Sequence, residues 1–147
     1  MHKILFVCTG NYYRSRFAEI YFNHAAASAD VPVSAFSRGL SLNPDKNKGV
    51  ISLHAETYLD SLNIPIDKTQ APAKLEPHDL TSASTVIILD ETEHRPMIRA
   101  LYPEWEEKVE YWKFEDDYIL SPSVVLPTLK ERVHRLVDEY RNNKKFE

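Results

Sequence analysis

The stretch CTGNYYRS, residues 8–15, sets the chain's one cysteine six positions ahead of an arginine, with a Gly-Asn pair between them. A cysteine attacks as its thiolate, and a guanidinium presents a planar fork of donors that matches two phosphate oxygens. Residues 9–13 can curl so that their backbone N–H groups converge. Gly10 and Asn11 are the types that tolerate the left-handed backbone such a nest needs. The result is an anion socket with Thr9, Gly10, Asn11, Tyr12 and Tyr13 on its wall and Arg14 at its far end. Convergent amides, a helix N-terminus and the guanidinium all favour thiolate over thiol, so Cys8 is expected to be nucleophilic near neutral pH. The Ser15 hydroxyl is placed to donate to that sulfur and ease its departure. The competing reading makes Cys8 a small apolar residue ending a buried strand. The Gly-Asn and Arg-Ser pairs at these offsets favour the socket.

Such a socket needs a strand before it and a helix after it. KILFVC (3–8) is an apolar run without polar alternation, as expected of a strand buried on both faces. Beyond the loop, Ala18, Tyr21, Phe22 and Ala25 form an apolar stripe on a helix starting near Arg14 or Ser15. VPVSAFS (31–37), TVIILD (85–90) and KVEYWKF (108–114) read as further strands and 47–63 as a second helix. Leu129, Val133, Leu136, Val137 and Tyr140 mark a terminal helix. Strands alternating with helices predict an α/β domain with a parallel sheet covered on both sides, whose ligands bind beyond the carboxyl ends of the strands. The Pro-bearing segments PIDKTQAPAKLEP and ILSPSVVLP read as loops too short to divide the chain, so residues 1–147 are expected to be one domain.

With 22 acidic and 18 basic residues the net charge is −4, which supplies no field to gather nucleic acid or an anionic membrane. Any anion must be held locally. The six histidines are scattered without ligand spacing, so no metal site is expected. No segment has the length of a membrane span or of a signal peptide. One cysteine forms no internal bridge, which fits a reducing compartment. The expected address is the cytoplasm.

CTGNYYRS, followed by Ala18-Glu19, resembles the signature of the low-molecular-weight protein tyrosine phosphatases, and SRGL (37–40), VIILDE (86–91) and an acidic segment before the last helix recur in that family's order. The resemblance implies a four-stranded parallel sheet with a phosphate loop between strand one and helix one. It also implies phosphomonoester hydrolysis through a phosphocysteine, with no metal or organic cofactor. The family places its general acid in an Asp-Pro pair on a loop before the last helix. KFEDDYILSP lies there, with Asp116 matching the acid, Asp117 standing where proline is expected and Tyr118 matching an aromatic residue. The extra carboxylate makes Asp117 the alternative acid.

Three further positions depart from the family. Tyr13 stands where many relatives carry a second cysteine, so an oxidised Cys8 has no internal resolving thiol. Gln70 and Ala73 stand near an expected histidine and arginine. Tyr12, Tyr118 and Leu42 could wall the socket for a phenyl ring, favouring aryl phosphates such as phosphotyrosine on a protein. A monomer is expected. Other readings are a non-catalytic phosphate-binding module, which Asp117 favours, an arsenate reductase, which needs cysteines absent here, and a phosphoarginine phosphatase, which Tyr12 disfavours.

Overall fold

Residues 4–7 have no exposed surface, and their alternation sends side chains into two separate cores. A computed structural model describes residues 2–142. Its elements are β1 (His2–Cys8), α1 (Arg14–Ser28), β2 (Val33–Gly39), α2 (Leu53–Ser61), α3 (Pro77–Ser82), β3 (Thr85–Ile88), α4 (Glu91–Leu101), a 3₁₀ turn (Pro103–Trp105), β4 (Glu110–Tyr111) and α5 (Pro122–Arg141). The sheet order is β2-β1-β3-β4, and every pairing is parallel. β1 is therefore an inner strand whose carboxyl end opens between those of β2 and β3, where this architecture binds its ligands.

Ile4, Phe6 and Cys8 point to the face covered by α1, α2 and α5, where Phe17, Phe22, Leu129, Val133 and Leu136 close the larger core. Leu5 and Val7 point to the opposite face, against Leu80 of α3 and Ile98 of α4. The single α/β domain with a four-stranded parallel sheet flanked by helices agrees with the expectation from sequence.

The differences lie in element bounds. β2 runs two residues later than predicted, and α2 starts only after Ser52, whose side chain accepts the His54 N–H and caps the helix. β4 keeps two residues of the predicted seven, because only Ile87 and Ile88 of β3 pair with it. The segment 119–127, read as a loop, is mostly helix. Ser121 caps α5 and Pro122 takes the first helical position, where a missing N–H costs nothing. Neither α3 nor α4 was foreseen.

Candidate active site

Cys8 closes β1 paired with Gly39 at the end of β2, and the Leu40 N–H donates to its carbonyl at 2.9 Å. Gly39 has no room for a side chain. A Cβ there would lie 2.7 Å from the Thr9 carbonyl and 2.9 Å from the Asn11 nitrogen. The bare backbone thus lets β2 press against the loop that follows Cys8. In that loop the left-handed residue is Asn11, at φ 52°, and not Gly10, which was expected to share the role. Gly10 is small for a different reason: a Cβ would meet the Asn47 amide nitrogen at 2.9 Å.

Asn11 is fully buried and its amide is completely engaged. Its Nδ2 donates to the hydroxyls of Ser15 and Ser37, both at 2.9 Å, while its Oδ1 accepts the Ala73 N–H at 2.9 Å. These three bonds hold a conformation that an L-residue rarely adopts unaided. The Ser37 hydroxyl passes on to the Glu19 carboxylate, to which Gln70 donates from Nε2 at 3.2 Å and the buried Arg16 approaches at 3.3 Å. Support for the loop therefore survives at the two departing positions, Gln70 through its amide and Ala73 through its backbone. Among the described residues the amides of residues 10–13 find no backbone or side-chain acceptor.

The Cys8 sulfur, 2% exposed as a residue, lies 2.9 Å from Ser15 Oγ. Either atom can donate in this pair, and with Cys8 as a thiolate the Ser15 hydroxyl is the donor, its oxygen still accepting from Asn11. Arg14, also 2% exposed, donates from Nη1 to Glu93 Oε1 and the Phe114 carbonyl, both at 2.9 Å, and from Nη2 to Glu93 Oε2 at 3.0 Å. Asp116 Oδ2 lies 3.4 Å from Nη2. Nε is buried and, among the described residues, has no partner. The guanidinium edge formed by Nε and Nη2 is thus the one left for a ligand. Cys8, Gly10, Tyr12, Arg14, Asp116 and Asp117 line one cavity of about 140 Å³.

The sequence matches the low molecular weight phosphotyrosine protein phosphatases over residues 3–142. The chain belongs to that family. No curated protein is similar to it in sequence. Among solved structures, a YwlE arginine phosphatase in which serine replaces the active-site cysteine and carries the phosphoryl group is 22% identical, with 99% of each chain covered and a TM-score of 0.80. The low molecular weight protein tyrosine phosphatase from T. tengcongensis is 25% identical over 97% of this chain and 99% of its own, with a TM-score of 0.74. The YwlE arginine phosphatase from Geobacillus stearothermophilus is 22% identical over 99% and 94%, with a TM-score of 0.71.

Against the family pattern, Thr9, Gly10, Asn11, Tyr12, Tyr13, Arg14 and Ser15 all lie at or directly behind the cavity. Tyr118 does not: it is 72% exposed and outside the lining, and the half-buried Leu42, which packs toward Gly39, lies outside it too. The opposite rim is polar instead, with Ser41, Asn43, Lys46 and Asn47 contributed by the loop after β2. Tyr12 is tied to that loop twice, its hydroxyl donating to the Lys48 carbonyl and its own carbonyl accepting the Ser52 N–H. Asp117 uses its N–H on Asp116 Oδ1 at 2.8 Å, a bond that proline could not make. Tyr13 is buried; that burial, with Asp117 and Asp116 close by, keeps its phenol protonated well above the ordinary range.

Sequence reasoning missed Glu93 and His94 entirely. The signal available was an acidic residue and a histidine just past the VIILDE strand, on the side of the sheet where the socket opens. Glu93 Oε2 also takes a hydrogen bond from Thr9 Oγ1, and the fully buried His94 places Nε2 3.0 Å from both groups. Burial opposes ionisation of Glu93, but hydrogen bonds from His94, Arg14 and Thr9 and the Arg14 charge outweigh it and hold the carboxyl far below the usual carboxylate range. Among the described residues no helix is long and apolar enough to cross a membrane, and no group of His, Cys, Asp or Glu is arranged to hold a metal ion.

Proposed function

We propose that this phosphatase hydrolyses aryl phosphomonoesters, with phosphotyrosine on a protein as the substrate class, by way of a phosphocysteine. The observation that carries the reading is one cavity holding a sulfur hydrogen-bonded to Ser15, an arginine with an unpartnered Nε–H, and a carboxylate 3.4 Å from that same guanidinium. In the first step the Cys8 thiolate attacks phosphorus, the P–O bond to the phenol breaks, and protonated Asp116 gives its proton to the departing oxygen. The loop amides and the Nε–Nη2 edge of Arg14 take the three equatorial oxygens. In the second step Asp116, now a carboxylate, accepts a proton from the attacking water as the P–S bond breaks. The Ser15 hydroxyl stabilises the sulfur leaving as thiolate, and the cycle closes with inorganic phosphate.

Asp116 is favoured over Asp117 because it sits against Arg14, and hence beside the oxygens of a bound phosphoryl group. Asp117 instead supplies the N–H that orients its neighbour. Tyr12, fixed at the mouth by two hydrogen bonds, gives the aryl ring one apolar wall. The protein is read as a cytoplasmic monomer, a reducing setting being the one in which a lone nucleophilic cysteine stays active. The test is hydrolysis of para-nitrophenyl phosphate and of phosphotyrosine, phosphoserine and phosphoarginine peptides by wild type and Cys8→Ser. Turnover of phosphotyrosine by wild type and none by the variant is expected. Equal rates for the two proteins would sink the phosphocysteine, and a preference for phosphoarginine would reassign the substrate.

A further inference from the structure

Arg14 has five N–H donors and only one face that a phosphoryl group can reach, so what holds its other edge decides how it meets the transition state. Glu93 takes Nη1 and Nη2 together, at 2.9 and 3.0 Å, in the parallel two-bond arrangement that fixes a guanidinium plane as well as its position. Glu93 is itself fixed. The Asp90 N–H donates to His94 Nδ1 at 3.1 Å, which leaves the ring proton on Nε2, facing Thr9 Oγ1 and Glu93 Oε2, each at 3.0 Å. Thr9 in turn donates to Glu93 Oε2. Every link has one sensible proton direction, and the relay runs from the end of the sheet, through the residue next to the nucleophile, to the arginine.

We infer that Glu93, held by Thr9 and His94, is the positioning residue of Arg14: it locks the end of the guanidinium so that the Nε–Nη2 edge alone is offered to the phosphoryl group. The inference rests on the phosphatase reading and adds to it a residue that never touches substrate. A donor edge fixed before reaction favours the transition state most, because its oxygens gather charge while the ground state can accept looser contacts. Loss of Glu93 should therefore weaken binding of a trigonal-bipyramidal oxyanion more than that of a tetrahedral one.

The experiment compares wild type, Glu93→Gln and Thr9→Val. Kinetics on para-nitrophenyl phosphate are read alongside direct calorimetric binding of vanadate and of inorganic phosphate. For Glu93→Gln, kcat should fall on the order of 10- to 100-fold, less than removal of a transition-state donor costs, with vanadate affinity falling in parallel. Phosphate affinity and KM should move by about threefold or less. Thr9→Val, which keeps the shape and removes the hydroxyl, should show the same split more weakly. In the Arg14→Lys background the Glu93→Gln loss should vanish, since the carboxylate acts through the guanidinium. A wild type that binds both oxyanions without turnover overturns the phosphatase reading. Vanadate and phosphate weakened equally, or a Glu93 effect that persists in full without Arg14, overturns the positioning role and leaves only a structural ion pair.

Discussion

At the scale of single residues the proposed mechanism separates groups that react from groups that hold them. On the proposed mechanism Arg14 offers the substrate an edge, not merely a charge, so Arg14→Lys should lose on the order of 10²- to 10³-fold in kcat even though the positive charge is kept. A rate near wild type would place Arg14 outside the chemistry. The acidic pair gives a second prediction, because Asp116 faces Arg14 at 3.4 Å while Asp117 contributes its backbone. Asp116→Asn should steepen the negative slope of log kcat/KM against leaving-group pKa, and Asp117→Asn should leave that slope as it is. The reverse result would move the acid by one position. The grouping of Cys8, Arg14 and Ser15 around one cavity was legible in sequence because the loop that carries them is contiguous and its spacing carries its geometry. Glu93 was not, since it meets Arg14 across a separation of 79 residues that only the pairing of β1 with β3 closes. Tyr118 was misplaced for a related reason: the family pattern fixed its distance along the chain from Asp116, not its direction, and the side chain points to solvent.

At the scale of elements, sheet order does the positioning. β1 lies between β2 and β3, so its loop is braced by Gly39 from one neighbour and by the start of α4 from the other. Gly39→Ala tests the first brace. The new methyl would lie under 3 Å from two backbone atoms of the loop. Backbone cannot swing aside as a side chain can, so overpacking of about 1–3 kcal/mol is expected together with loss of turnover. Chemical denaturation with an assay of the folded fraction checks both, and an active, equally stable variant would show the contact to be yielding. The strands and the outer helices were readable because burial writes a continuous or four-residue apolar pattern into them. α4 hid because only His94 and Ile98 are buried along its 11 residues and a proline stands at its centre. α5 began earlier than its apolar stripe because Ser121-Pro122 is a capping signal that hydrophobic periodicity does not register.

For the molecule as a whole, carboxylates that pair only in the folded state make stability depend on pH. Glu93 is held far below its ordinary value of 4.5 by His94, Arg14 and Thr9 against the opposing effect of burial, and Glu106 is held down to about 2 by Arg99 and Arg95. Both folded values lie below the unfolded ones, so the folded state binds fewer protons through this range and stability rises with pH. Their contribution is fully present above the unfolded value, near 4.5, and is lost as pH falls toward their folded values. Urea unfolding at pH 7, 5, 4 and 3 should accordingly give a midpoint that is nearly flat between the first two and falls steeply after that. The two sites are separable. Glu93→Gln removes the titration that lies beside Arg14, so its curve should fall less between pH 5 and 3 than that of wild type. Glu106→Gln should remove only the part due to its pairing with the half-buried Arg95 and the exposed Arg99, and salt should weaken that part more than the one beside the buried Arg14. A Glu93→Gln curve parallel to wild type through the whole acid range would show that the Arg14 pair contributes no stability that depends on its proton, and that the fold holds the guanidinium in place by other means.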